Sequence, residues 1–217
     1  MNRAIAVLAL ILLAVDLLLN LAGKKYRKMT KGLLMPLLLV YYLMQAESVD
    51  YLVVLAIFAA FAGDVCLLWL DRPMLFQAGL LSFLLGHCCY ALVFWRAADG
   101  LQGLPGGYFL LLLPYGLAVM ALYRHLESGL AGRRLAFILY ACSIAAMSLL
   151  ALARLFVQPG WVAWLPFAGS LLFMLSDSLL AANLFGPRSR HPAWQIMASY
   201  VAAQVLIVAG LAMQAPA

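Results

Sequence analysis

Apolar residues along this chain neither alternate with polar ones nor keep to one helical face; they form long runs, separated by short clusters of charged residues, proline and glycine. A run of that kind reads as a helix with apolar material on every side. Windows of high hydropathy predict helices over 4–22, 32–46, 51–70, 74–97, 104–123, 134–156, 161–185 and 192–213. Crossing the hydrocarbon core of a bilayer takes about 20 apolar residues, and a helix satisfies its own backbone hydrogen bonds where water is absent. The predicted fold class is therefore all-α, a polytopic membrane protein built as a bundle of about eight transmembrane helices. The run over 32–46 is short for a span and contains Pro36, which predicts a kink or a helix that borrows length from its flanks. Asp71-Arg72-Pro73, Leu104-Pro105-Gly106-Gly107, Gln158-Pro159-Gly160 and Gly186-Pro187 supply turns.

Composition agrees: 67% of the 217 residues are hydrophobic and 10% charged, with a mean hydropathy of +1.03. Eight spans with short connections use this length, so a single transmembrane domain over 1–217 is expected. Arg3 ahead of the apolar run Ala4 to Leu13 resembles a signal peptide. The run continues past Asp16 to Leu21, however, and the strongest basic cluster, Lys24, Lys25, Arg27, Lys28 and Lys31, follows it, so 4–22 reads as a helix.

A net charge of +6 would suit nucleic acid only if the basic residues formed one solvated patch; here they lie between apolar segments and report topology, so no nucleic-acid partner is expected. One side of the membrane collects 11 Lys and Arg, and the other holds only Arg3, Arg96 and Arg154. By the positive-inside rule both termini face away from the cytoplasm. The expected setting is a bacterial inner membrane.

In that orientation the predicted helices holding Asp16, Asp64 and Asp177 all run toward the cytoplasm, and each aspartate precedes its helix end by about six to nine residues, a depth of roughly 10–13 Å. A carboxylate at that depth is unfavourable unless paired, hydrated or protonated, which makes it a candidate for function; hydrogen bonding for packing alone is the alternative. Gly63 leaves room beside Asp64, and Ser176 and Ser178 flank Asp177. His87 follows Gly86 and can act as acid, base or donor, or be a core histidine. Tyr200 and Gln204 share a helical face, and Tyr140 reaches the same layer. Asn183 can be a ligand or interhelical glue, and Lys31 can meet a phosphate or mark the membrane surface.

Cys66, Cys88, Cys89 and Cys142 lie in apolar runs without disulfide or zinc spacing. Serine-hydrolase, zincin and P-loop motifs are absent from the sequence. His87 is alone in the membrane layer, since His125 and His191 fall in predicted loops, so neither a metal nor another cofactor is expected.

Phe61-Ala-Gly-Asp64, Leu85-Gly-His-Cys-Cys-Tyr90, Phe173-Met-Leu-Ser-Asp-Ser178 and Tyr200-Val-Ala-Ala-Gln204, in that order and spacing, resemble the YhhN-like family of multi-span membrane proteins. Lys31 and Pro36 look similar to the opening of that family's second helix. The family's characterised members are lysoplasmalogenases. The resemblance implies cleavage of the vinyl-ether bond of a lysoplasmalogen to a fatty aldehyde and glycerophosphoethanolamine or glycerophosphocholine. Asp64 and Asp177 would be the acid and the base or cation stabiliser. Asp16, Lys31, His87, Tyr140, Ser176, Asn183, Tyr200 and Gln204 would bind substrate. The partners expected are a lysophospholipid substrate and membrane lipids. The alternative is a proton- or cation-coupled transporter or flippase of a lipid or small polar solute, for which broken helices near the aspartates would argue; a structural role without catalysis is a third reading.

The charge asymmetry makes a direct prediction about orientation. In a cysteine-free background, a cysteine replacing Tyr26 is expected to resist an impermeant thiol reagent in intact cells, and one replacing Gln102 to be labelled. The reverse pattern would invert the topology.

Overall fold

Without water to compete, an apolar segment closes its own backbone hydrogen bonds, and the long runs accordingly form helices. A computed structural model describes residues 24–69, 71–102, 104–187 and 191–214, with side chains from Leu33 onward. Seven α-helices follow in chain order: α1 Lys24–Gln45, α2 Tyr51–Cys66, α3 Pro73–Ala97, α4 Leu112–Leu130, α5 Arg134–Val157, α6 Trp161–Phe185 and α7 Ala193–Ala212. Short 3₁₀ turns join several of them, and no strand occurs among the described residues. The helix expected over 4–22, with Asp16, lies outside the described residues.

Tyr51–Trp69, Pro73–Ala97, Gly106–Val157, Trp161–Phe185 and Ala193–Ala212 are long and apolar enough to cross a membrane, and the third of these contains both α4 and α5. The protein is an integral membrane protein. Its outward side chains are as apolar as its inward ones: Phe58, Leu81, Leu113 and Leu139 are more than half exposed, as a surface facing lipid requires.

Three boundaries differ from the hydropathy reading, each for a physical reason. α1 is already helical at Lys24, the first described residue, instead of from 32, because lysine and arginine are good helix formers and the helix runs through the basic cluster. The segment expected over 104–123 is a 3₁₀ stretch, Gly106–Leu111, followed by α4 to Leu130; Arg124, His125 and Glu127 leave the apolar layer without ending the helix. The segment expected over 51–70 is α-helical only to Cys66 and then tightens into a 3₁₀ turn, Leu67–Trp69. Asp50 opens α2 by accepting a hydrogen bond from Leu52 N at 2.8 Å, and Tyr42 Oη accepts one from Asp50 N at 3.0 Å. Pro73 occupies the first position of α3, where its missing N–H costs nothing.

The chain divides into two compact units within α3 and α7: the described residues up to Tyr90 with those from Val208 form one, and Ala91–Ile207 the other. In the first, α2 and α3 run antiparallel. Gly63 faces the Phe83 ring, Gly79 faces Cys66 and Leu67, and Gly86 faces Ala56 and Ala59. In the second, α6 and α7 run antiparallel, with Phe173 against the edge of Tyr200 at 5.5 Å between ring centres and Ser176 Oγ donating to the Ile196 carbonyl at 3.0 Å. Gly169 sets how closely they approach, since a Cβ there would stand 2.7 Å from the Ala203 carbonyl oxygen and 3.0 Å from Ile207 N.

Gly169→Ala is therefore expected to lower the melting temperature in detergent by several degrees, overpacking costing about 1–3 kcal/mol. Gly116→Ala, in α4 with open space around it, is expected to leave stability unchanged or raise it. Equal melting temperatures for the two variants would refute the close contact.

Candidate functional site

In the Ala91–Ile207 unit the polar residues converge on α5, α6 and α7. Tyr140 lies two turns into α5 and Asp177 about two turns before the end of α6. Tyr140 Oη donates to Asp177 Oδ2 at 2.6 Å. A phenol–carboxyl hydrogen bond this short is among the stronger ones a protein makes, and it orients the carboxyl group from a second helix. Both side chains are partly buried, so the pair is shielded but not sealed.

Around it, the flanking serines are tied to backbone carbonyls. Ser178 Oγ turns back to the Met174 carbonyl at 2.7 Å, while Ser176, 2% exposed, uses its hydroxyl across to α7. Tyr200 and Gln204 are buried on α7, Tyr200 with its ring on Phe173. Asn183 is committed elsewhere: its Nδ2 donates to the His191 carbonyl, and its Oδ1 accepts from His191 N, both at 2.8 Å. The amide thus clamps the connection between α6 and α7, which leaves little of its hydrogen-bonding capacity for a ligand.

In the other unit, Asp64 and His87 are buried at 3% and 1% exposure. Asp64 lies in the last turn of α2, where Leu67 N donates to the Gly63 and Val65 carbonyls. The α2–α3 register sets His87 level with residues near Phe58, about 9 Å from Asp64 along the helix axis. Lys31 falls on the backbone of α1, ahead of the described side chains, and Asp16 is outside the described residues.

A further polar cluster was not singled out from sequence. Tyr115 Oη and Ser148 Oγ share a hydrogen bond of 2.8 Å, and Ser170 Oγ lies 2.9 Å from Ser148 Oγ and 2.7 Å from the Phe167 carbonyl oxygen. A chain from Tyr115 through Ser148 and Ser170 to that carbonyl satisfies every group and joins α4, α5 and α6. Isolated hydroxyls in apolar runs carry no periodic signal, so only packing reveals them.

Among the described residues, no three His, Cys, Asp or Glu side chains converge as a metal cage. Each unit by itself offers groups for proton chemistry: one an oriented carboxyl with a phenol on it, the other a buried carboxyl and a buried imidazole.

The chain is 32% identical over 155 residues to a Homo sapiens protein named lysoplasmalogenase TMEM86B, and 35% identical over 153 residues to the Sus scrofa protein of the same name. Each match covers 70% of this chain and 59% of the relative, so the chain spans well under two thirds of the length of these relatives. No solved structure matches. The family match runs from residue 26, in the first turn of α1, to residue 211, in the last turn of α7, and the chain belongs to the YhhN family.

Proposed function

We propose that the protein is a lysoplasmalogenase-like hydrolase acting on the vinyl ether of a lysophospholipid within the membrane. The observation that carries the reading is the Tyr140–Asp177 hydrogen bond at 2.6 Å, in a chain whose named relatives are lysoplasmalogenases. A vinyl ether is cut by adding a proton to its alkenyl carbon, which leaves an oxocarbenium ion. Water adds to that ion and loses a proton, and the resulting hemiacetal collapses to aldehyde and the glycerol hydroxyl. One water is consumed, and the proton is returned.

The charge that develops is like that in glycoside cleavage, where one carboxylic acid delivers the proton and a carboxylate steadies the cation or activates water. Asp64 and Asp177 are the candidates for these roles, and Tyr140 positions Asp177. Tyr200, Gln204, Ser176 and His87 are candidates for shaping the pocket, and an aliphatic chain fits among the leucine, phenylalanine and methionine side chains. The glycerophosphoethanolamine or glycerophosphocholine product, the cytoplasmic side of entry and the part of Asp16 and Lys31 belong to the same proposal. α6 and α7 continue unbroken through Asp177 and Tyr200, which supports hydrolysis over a transporter's interrupted helices.

Purified protein given lyso-alkenyl, lyso-alkyl and lyso-acyl phospholipids in parallel is expected to release aldehyde from the first alone, followed by mass spectrometry. Asp177→Asn and Asp64→Asn are each expected to abolish turnover with the fold retained, because an amide keeps the shape and cannot exchange the reacting proton. Tyr140→Phe should lower kcat about 10- to 100-fold, the usual worth of a hydrogen bond to a charged group. Full activity in either asparagine variant would remove that aspartate from the mechanism. Strong chelators are expected to leave the rate unchanged; a loss that added zinc reverses would make the aspartates metal ligands instead.

A further inference from the structure

One face of α5 is a stripe of deeply buried side chains. Ile144, Met147, Ala151 and Arg154 are each at most 4% exposed, and steps of three and four residues hold them to one face. Three are what a core stripe calls for. The fourth is a guanidinium, 2% exposed, and neither its Nε nor its Nη1 has a hydrogen-bond partner among the described residues. The ion pair that α5 does make, Arg134 with Glu127 at 3.6 Å, is at its opposite end.

A buried arginine without a counter-charge is strongly unfavourable, and two ordinary explanations do not account for it. An arginine that marks the membrane surface extends its head to water, whereas Nε and Nη1 of this one are buried, on the side to which the sequence assigns only three basic residues. An arginine in the last turn of a helix can bond that helix's terminal carbonyls, and Nε and Nη1 bond none. The elements packed at this end of α5 carry charges of both signs, Arg96 and Asp99. Ala153 packs with Ala98 and Tyr108 in one buried cluster, and Tyr108, whose hydroxyl donates to the Leu149 carbonyl, comes from the 3₁₀ segment Gly106–Leu111. Ala98 directly follows α3, whose last turn contains the exposed Arg96. Two arginines thus stand at the same end of the Ala91–Ile207 unit.

We propose that Arg154 is the buried anchor of a phosphate-binding site at the end of this unit away from Tyr140 and Asp177, filled by the phosphate of a membrane phospholipid or by a free phosphate ion. The planar guanidinium fork matches a phosphate, and the two partnerless nitrogens are the donors it would use. Fourteen residues of continuous helix separate Tyr140 from Arg154, about 21 Å. The phosphate of a lysoplasmalogen is only a few bonds from its vinyl ether, so one substrate molecule cannot engage both. The site is therefore separate from the proposed hydrolysis and stands without it.

Thermal unfolding of delipidated protein in a non-ionic detergent tests this, with phosphatidylglycerol, inorganic phosphate or diacylglycerol added. Phosphatidylglycerol at one hundred times its dissociation constant is expected to raise the Tm by about 5–10 °C, and diacylglycerol to leave it unchanged. A rise with inorganic phosphate as well identifies the free ion as a sufficient ligand; a rise with phosphatidylglycerol alone identifies the lipid. R154M should lose the rise, and without additives should melt at or above the temperature of the unsubstituted protein, since it removes a buried charge that has no counter-charge among the described residues. R154K, which keeps the charge without the fork, should show a reduced rise and decides the matter if R154M does not fold. A full rise in either variant, no rise in the unsubstituted protein, or a lower Tm for folded R154M without additives would overturn the proposal.

Discussion

Inside a bilayer no water is at hand to satisfy a polar group, and every other feature of this protein follows from that shortage. Backbone groups are satisfied within helices. Polar side chains find partners on the neighbouring helix, and they do so at short range: Tyr140 on Asp177 and Ser176 on the Ile196 carbonyl. Each such bond joins two helices and fixes their register, because sliding by one residue would strand both ends in apolar surroundings.

Small residues make these bonds possible. Association of helices in lipid gains little from hydrophobic burial, since lipid tails are as apolar as leucine, so close backbone approach and dispersion contacts take its place. Gly169 lets α7 come near α6, and next along the interface the edge of Tyr200 meets the Phe173 ring, a contact worth about 0.5–1.5 kcal/mol beyond its area. Asp177 lies in this tightened stretch. Gly63 and Gly86 act likewise between α2 and α3, beside Asp64 and His87. Asp64 and His87 each directly follow a glycine at a close contact between α2 and α3, and tight packing of that kind helps to hold a side chain in one orientation.

Arg154 runs against this pattern. Elsewhere in the Ala91–Ile207 unit a buried polar group meets a protein partner, as the chain from Tyr115 to the Phe167 carbonyl illustrates, while Arg154 is buried on the core stripe with two donors unmet among the described residues. Where one rule is kept nearly everywhere, its exception is a place to look for a ligand.

Hydropathy by itself determined that the chain is helical and crosses a membrane, and it located the turns at Pro73, Pro159 and Pro187, because the cost of apolar surface in water and the fixed length of a span act on composition alone. It misplaced the ends of α1, α2 and α4, since transfer energy reports where lipid stops, whereas a helix ends where its hydrogen bonds do. The four motifs resembling the YhhN family made Asp64, His87, Asp177 and Tyr200 visible as a set. Only tertiary structure decided that Tyr140 bonds Asp177, that Asn183 clamps a loop, that Tyr115, Ser148 and Ser170 form a chain, and that Nε and Nη1 of Arg154 meet no partner among the described residues. Those outcomes depend on the rotation and register of helices against one another, which close packing sets and which a uniformly apolar sequence leaves unmarked.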